Sequence, residues 1–137
     1  MEIRLYENSD EEAVAALWRE VLPDPAPHND PLTSIRMKLE VGRDLFFVAV
    51  EKDVIGTAMG GYDGHRGWIY SVAVSPQHRK RGIGSTLVRQ VEAALIRRGC
   101  LKANLQVLNS NREVVAFYEK LGFRVEERIS MGKRLYS

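Results

Sequence analysis

The chain has 137 residues, 45% of them hydrophobic and 28% charged, with a formal net charge of +2, and is read as a single domain over 1–137 with room for a sizeable core. So small a net charge argues against a polyanionic partner, and no nucleic acid is expected. One cysteine, Cys100, excludes an intramolecular disulfide and fits a reducing compartment; with no apolar leader after Met1 and no apolar run of membrane-spanning length, a cytoplasmic protein without membrane association is expected.

In chain order, Ile3 to Tyr6 reads as a short strand. Ser9-Asp10-Glu11-Glu12 then reads as a capping box opening a helix with Val14, Leu17, Trp18 and Val21 on one face. Four of the five prolines fall between Pro23 and Pro31, which marks a loop, and Pro31 suits the first turn of a second helix carrying Ile35 and Leu39. Leu45 to Glu51 and Val54 to Tyr62 are β-rich runs joined at Lys52-Asp53. Asp63-Gly64 turns the chain into a run expected to be a buried strand, Trp68 to Val74, giving three consecutive antiparallel strands. Leu87, Val88, Val91, Ala94 and Leu95 follow helical spacing in a helix expected to begin at Gly84 and to end at Gly99. Lys102 to Leu108 reads as a strand, parallel to Trp68–Val74 because a helix separates the two. A last helix over Arg112 to Leu121 stops at Gly122, and Phe123 to Ile129 and Met131 to Leu135 read as closing strands.

Between the strand ending at Val74 and the helix beginning at Gly84 lies Arg79-Lys80-Arg81-Gly82-Ile83-Gly84. Free N–H groups at a helix start carry partial positive charge, and glycines let a ligand's oxygens reach the backbone. Three cations in a row add attraction for a pyrophosphate, although such a run also serves as plain solvated charge. Neither familiar phosphate loop fits. The P-loop needs a lysine after its second glycine, where Ser85 stands, and the dinucleotide fingerprint needs a third glycine, where Leu87 stands.

The loop resembles motif A of the GNAT superfamily of N-acetyltransferases, Gln/Arg-x-x-Gly-x-Gly/Ala, with Arg79, Gly82 and Gly84 in place. A second match follows, from Asn111 through Tyr118 to Gly122-Phe123, with Val114 where a small residue is usual. Taken together the motifs extend the resemblance over the whole chain. Asp30-Pro31 and Gly60 to Gly67 further resemble a bacterial subgroup of small, stand-alone members. The resemblance implies an α+β fold: a mixed, mostly antiparallel sheet with a central parallel, splayed strand pair and helices on both faces. It implies acetyl-CoA as cofactor, its pantetheine arm paired with backbone groups of Val72, Ala73 and Val74. The pyrophosphate is then held at Arg79, Lys80, Arg81, Gly82, Ile83, Gly84 and Ser85.

The same resemblance makes Tyr118 the general acid, since a phenol of pKa about 10 can protonate a departing thiolate. Asn111 is implied at the cofactor, and Ser110-Asn111-Arg112-Glu113 also reads as a helix cap; the two uses are compatible. A general base is harder to find. Many members place a glutamate on one of the splayed strands, and this chain has Trp68 and Gln106 at such positions, leaving Asp63, His65 and Tyr70 as candidates. No metal-ligand spacing is present, and no metal is expected. The expected activity is transfer of an acetyl group from acetyl-CoA to a primary amine of a small molecule, peptide or protein. The rival is an acyl-CoA-binding regulatory domain with little or no catalysis. An exposed strand edge is compatible with a homodimer.

Overall fold

The computed structural model describes residues 1–137. They form two compact units, Met1–Gln106 and Val107–Ser137. In the first unit β1 (Glu2–Leu5), β2 (Phe46–Val50), β3 (Val54–Tyr62), β4 (Gly67–Val74) and β5 (Ala103–Asn104) form one sheet in that order. The first four pair antiparallel and β4 pairs β5 in parallel, as expected for a connection through a helix. Helices α1 (Glu11–Val21) and α2 (Pro31–Val41) lie between β1 and β2 in sequence, and α3 (Ile83–Arg97) links β4 to β5. The second unit holds one helix, α4 (Arg112–Lys120).

Successive side chains of a strand point to opposite faces, and along β3 this alternation sorts the helices. A Cβ added at Gly56 would lie 2.9 Å from Leu87 Cδ1, and one at Gly60 would lie 2.6 Å from Val91 Cγ1. These glycines let α3 lie almost directly on the sheet, and Gly67 of β4 does the same against Cys100 Sγ, 2.7 Å from where its Cβ would be. Thr57 and Met59 point the other way, into a core of Tyr6, Val14, Leu17, Trp18, Ile35, Phe46 and Val48 beneath α1 and α2. Phe46 stacks between Tyr6 (4.4 Å, 10°) and Trp18 (5.9 Å, 14°), which fixes the indole ring.

Four expectations are corrected. The first capping box forms two residues earlier: Glu7 N–H donates to Asp10 Oδ2 at 2.8 Å, a 3-10 turn at Asn8–Asp10 precedes α1, and Arg4 grips the buried Asp10 carboxylate at 2.8 and 3.0 Å. Helix α3 starts at Ile83 rather than Gly84, because Gly82 takes the capping position. Strand β4 is not buried throughout. Gly67 and Ile69 are covered by α3, whereas Trp68 and Tyr70 stay exposed on the other face.

The fourth correction concerns the later strands. β5 has two residues instead of the seven from Lys102 to Leu108, and neither Phe123–Ile129 nor Met131–Leu135 forms a strand. Val125, Ile129, Met131 and Leu135 are all exposed. A pattern of β-formers makes a strand only where a neighbouring edge takes up its hydrogen bonds, and no strand pairs with these residues.

Candidate functional site

Strand β4 carries the most irregular backbone of the sheet. Thr57 of β3 faces Ala73 and Met59 faces Tyr70, so Ser71 and Val72 together oppose the single residue Ala58, a β-bulge. Ser71 takes φ +51°, in the left-handed region that a residue with a Cβ avoids. On the other side of β4, pairing with β5 covers only Gly67 with Ala103 and Trp68 with Asn104. No strand pairs with the stretch from Ile69 to Val74 on that side, so the parallel pairing has ended before the chain reaches the bulge. Val72 and Val74 are half-buried and Ala73 is buried.

The chain leaves β4 through a 3-10 turn at Pro76–His78 and enters the glycine loop. Lys80 (φ +64°) and Gly82 (φ +77°) are both left-handed, flanking Arg81 and folding the backbone back on itself. A Cβ at Gly82 would meet nothing within 4 Å, so glycine is required there by conformation and not by space. No side chain caps α3. The first helical bond is Thr86 N–H to Gly82 O at 3.0 Å, so the amides of Ile83, Gly84 and Ser85 have no acceptor within the helix and are open to an anion. The three cations differ. Arg79 Nε donates to Val74 O at 3.4 Å and ties the loop to the end of β4, Arg81 pairs with Glu51 at 2.7 Å, and Lys80 is exposed.

The turn between β3 and β4 organises itself around Asp63. Its Oδ1 accepts from His65 N and Arg66 N, both at 2.8 Å, and these backbone N–H groups hold its carboxyl below the usual carboxylate range. Burial pushes the Tyr70 hydroxyl up. Neither group is thereby made a better proton acceptor at neutral pH, and His65 is an exposed turn residue.

Two features of this unit escape the sequence reading. Lys38 of α2 is buried, donates to the Gly60 carbonyl beyond the end of β2, and lies 5.2 Å from the centre of the Tyr70 ring. Burial, with Arg98 nearby, lowers its amine to about 8. The signal was available, because Lys38 shares the face of Ile35 and Leu39 at helical spacing. Second, Trp18 Nε1 donates to Thr57 Oγ1, and Thr57 Oγ1 donates to Ser71 O, each at 2.8 Å. No sequence pattern announces this pairing, which spans 53 residues of chain between Trp18 and Ser71.

In the second unit Asn111 caps α4, accepting from Val114 N at 3.3 Å, so the cap rests on Asn111 and not on a box with Ser110. Tyr118 is buried, edge-on to Phe117 at 4.9 Å and to Phe123 at 5.6 Å. Burial pushes its hydroxyl up to about 12, so it holds its proton at neutral pH. Thus Val72, Ala73, Val74 and Arg79 to Ser85 gather at one end of β4 in the first unit, and Asn111 and Tyr118 belong to the second.

Set against known proteins, residues 11–123 match the acetyltransferase (GNAT) family. The chain is 46% identical over 136 residues to an acetyltransferase of Pectobacterium atrosepticum, covering 98% of this chain and 96% of that one. Among solved structures it superposes on Ard1 of Thermoplasma volcanium with a TM-score of 0.81 at 25% identity, over 91% of this chain and 83% of the other. It also superposes on the aminoglycoside N-acetyltransferase AAC(6')-Iy, a structure in complex with CoA, with a TM-score of 0.80 over 98% and 95% of the two chains. At 20% identity that second likeness is one of fold.

Proposed function

The chain belongs to the GNAT family of N-acetyltransferases, and from that premise we propose that residues 1–137 work as one domain that transfers acetyl from acetyl-CoA directly to a primary amine of a small molecule, peptide or protein. The observation that carries this reading is the end of β4: an uncapped helix start behind two left-handed residues, beside a strand left unpaired on one side. These residues fit the cofactor. The amides from Lys80 to Ser85 form a concave set of donors suited to a pyrophosphate, and the open side of β4 at Val72, Ala73 and Val74 suits an extended amide-bearing arm. Arg79 holds the loop against β4, and Arg81 reaches phosphate only by exchanging Glu51 for it.

Acetyl-CoA, when bound, supplies an acetyl group activated as a thioester. The residues of this chain do the rest. The backbone at Val72 donates to the developing negative charge on oxygen, a fixed dipole that needs no reorganisation as charge develops. Tyr118 Oη keeps its proton at neutral pH and delivers it to the leaving sulfur. Asn111 fixes the start of α4, and the family resemblance assigns it to the cofactor. The acceptor amine gives up its proton to water, since backbone N–H groups hold the Asp63 carboxyl down and burial keeps the Tyr70 hydroxyl protonated.

That last point is what favours a second reading, a domain that binds acyl-CoA and hardly turns over. Two measurements separate the readings. Calorimetric titration with acetyl-CoA should show micromolar binding that Gly82→Asp abolishes, and release of free CoA thiol should then depend on added amine. Binding without amine-dependent release favours the regulatory domain, and no binding at all sinks both.

A further inference from the structure

The bulge on β4 is held from behind by two side chains with no assigned part in the chemistry. An indole N–H can only donate, and a hydroxyl has one hydrogen, so the order of the contacts is fixed: Trp18 gives to Thr57, and Thr57 gives to the Ser71 carbonyl. Both side chains are buried, Thr57 completely, so the Trp18–Thr57 bond is closed to water, while the Ser71 end of the second bond is half-buried. Ser71 sits in a conformation that costs about 1–2 kcal/mol for a residue with a Cβ, and such strain persists only where the surroundings enforce it.

The Ser71 carbonyl and the Val72 N–H belong to one planar trans peptide, where they point in opposite directions. Thr57 is on β3, so the clamp draws the carbonyl toward β3. The Val72 N–H is therefore aimed away from β3, at the side where pairing with β5 has stopped. A carbonyl that accepts a strong bond also polarises its own peptide, which makes the N–H at the far end a better donor.

We propose that Trp18 and Thr57 are positioning residues, whose relay through the Ser71 carbonyl fixes and polarises the Val72 N–H that faces the acetyl oxygen. This rests on the acetyl-CoA reading above, and the role of the relay is separable from it. The relay is expected to act on the acetyl group and not on the rest of the cofactor, because the phosphates are held by the glycine loop.

The test compares Thr57→Val, which keeps the shape and removes the hydroxyl, with Thr57→Ser, which keeps the hydroxyl, and with Trp18→Phe. Calorimetry on each protein gives the ratio of affinities for acetyl-CoA and for free CoA, a readout that needs no turnover. The wild type and Thr57→Ser should prefer acetyl-CoA. Thr57→Val should bring the ratio close to one while leaving the affinity for CoA unchanged, and should lower kcat about tenfold to a hundredfold with little change in KM. Trp18→Phe should fall between them. Equal weakening of both ligands in Thr57→Val, or an unchanged ratio and kcat, overturns the proposal, as does a wild type that does not distinguish the two ligands. If the wild type binds neither ligand, the acetyl-CoA reading has failed, and with it the role assigned to the Val72 N–H. The relay itself is still read in the free protein from the Trp18 indole N–H resonance, which should shift and exchange faster in Thr57→Val but not in Thr57→Ser.

Discussion

Phe123 closes over Tyr118, the two rings meeting edge to face with centroids 5.6 Å apart while Phe123 N–H donates to the Tyr118 carbonyl at 3.1 Å. Gly122, at φ +97°, donates to Glu119 O at 3.0 Å. These two bonds and the ring contact make a Schellman stop, so the Tyr-x-x-x-Gly-Phe pattern has a structural reason beside any chemical one. The ring and the hydroxyl of Tyr118 therefore have separable jobs. Tyr118→Phe should leave the melting temperature within about a degree of wild type and lower kcat about 10²- to 10⁴-fold, whereas Phe123→Ala should lower the melting temperature by several degrees, at about 3 kcal/mol or less for a half-buried ring. Thermal melts beside steady-state rates decide it, and a Tyr118→Phe protein with an unchanged rate removes the hydroxyl from the mechanism.

Gly82 invites a similar separation. Any side chain there has space but must take a left-handed backbone, at about 1–2 kcal/mol. In Gly82→Ala that cost appears in full. In Gly82→Asp the new carboxylate accepts from the uncapped amides of α3 and offsets part of it, while occupying the place of a phosphate. Gly82→Asp should thus be the more stable of the two and the weaker binder of CoA, by more than about tenfold against Gly82→Ala. Denaturant melts and calorimetry on the pair check both halves.

Gly60 and Val91 share one space. Gly60→Ala should cost about 1–3 kcal/mol, because its Cβ would come within 2.6 Å of Val91 Cγ1. Val91→Ala alone opens a cavity. The double variant should be more stable than the sum of the singles by at least about 0.5 kcal/mol, measured by urea unfolding, and strict additivity would show that α3 moves away freely.

Lys38 predicts a pH dependence. Its amine titrates at about 8 when folded and near 10.5 when unfolded, chiefly because burial disfavours the charged form. In that window the unfolded chain binds more protons, so the penalty for burying the charge is complete below pH 8 and is relieved as pH rises toward 10.5. Urea melts at pH 7, 8 and 9 should show Lys38→Met losing ground relative to wild type as pH rises. A difference independent of pH would mean that the amine keeps its proton throughout.

The elements that sequence made legible are those with a local cause. Helical spacing located α3 because Leu87, Val88, Val91 and Leu95 each bury a side chain at the expected turn. Pro31 marked the start of α2, and the loop at Gly82 announced itself through glycines placed between a strand and a helix. What sequence could not supply depends on partners far along the chain. The residues from 102 to 108 and from 123 to 135 have the composition of strands and little or no ladder. Trp68 and Tyr70 look like core residues and are exposed, since composition does not say which face α3 covers. The Trp18–Thr57–Ser71 relay joins three elements and leaves no trace in the spacing of any one of them.

The three glycines facing α3 bear on how this sequence can drift. At Gly56, Gly60 and Gly67 the sheet has given up its side chains so that Leu87, Val91, Leu95 and Cys100 can occupy the space. The contact surface belongs to both elements jointly, and a change that adds bulk on one side is admissible only after the other side has shrunk. Descendants of this chain should therefore move through paired substitutions across the strand–helix boundary, with the shrinking member of each pair appearing first. Single replacements at these glycines should be filtered out long before replacements at the exposed Gly132, where a Cβ meets nothing and the backbone is not left-handed.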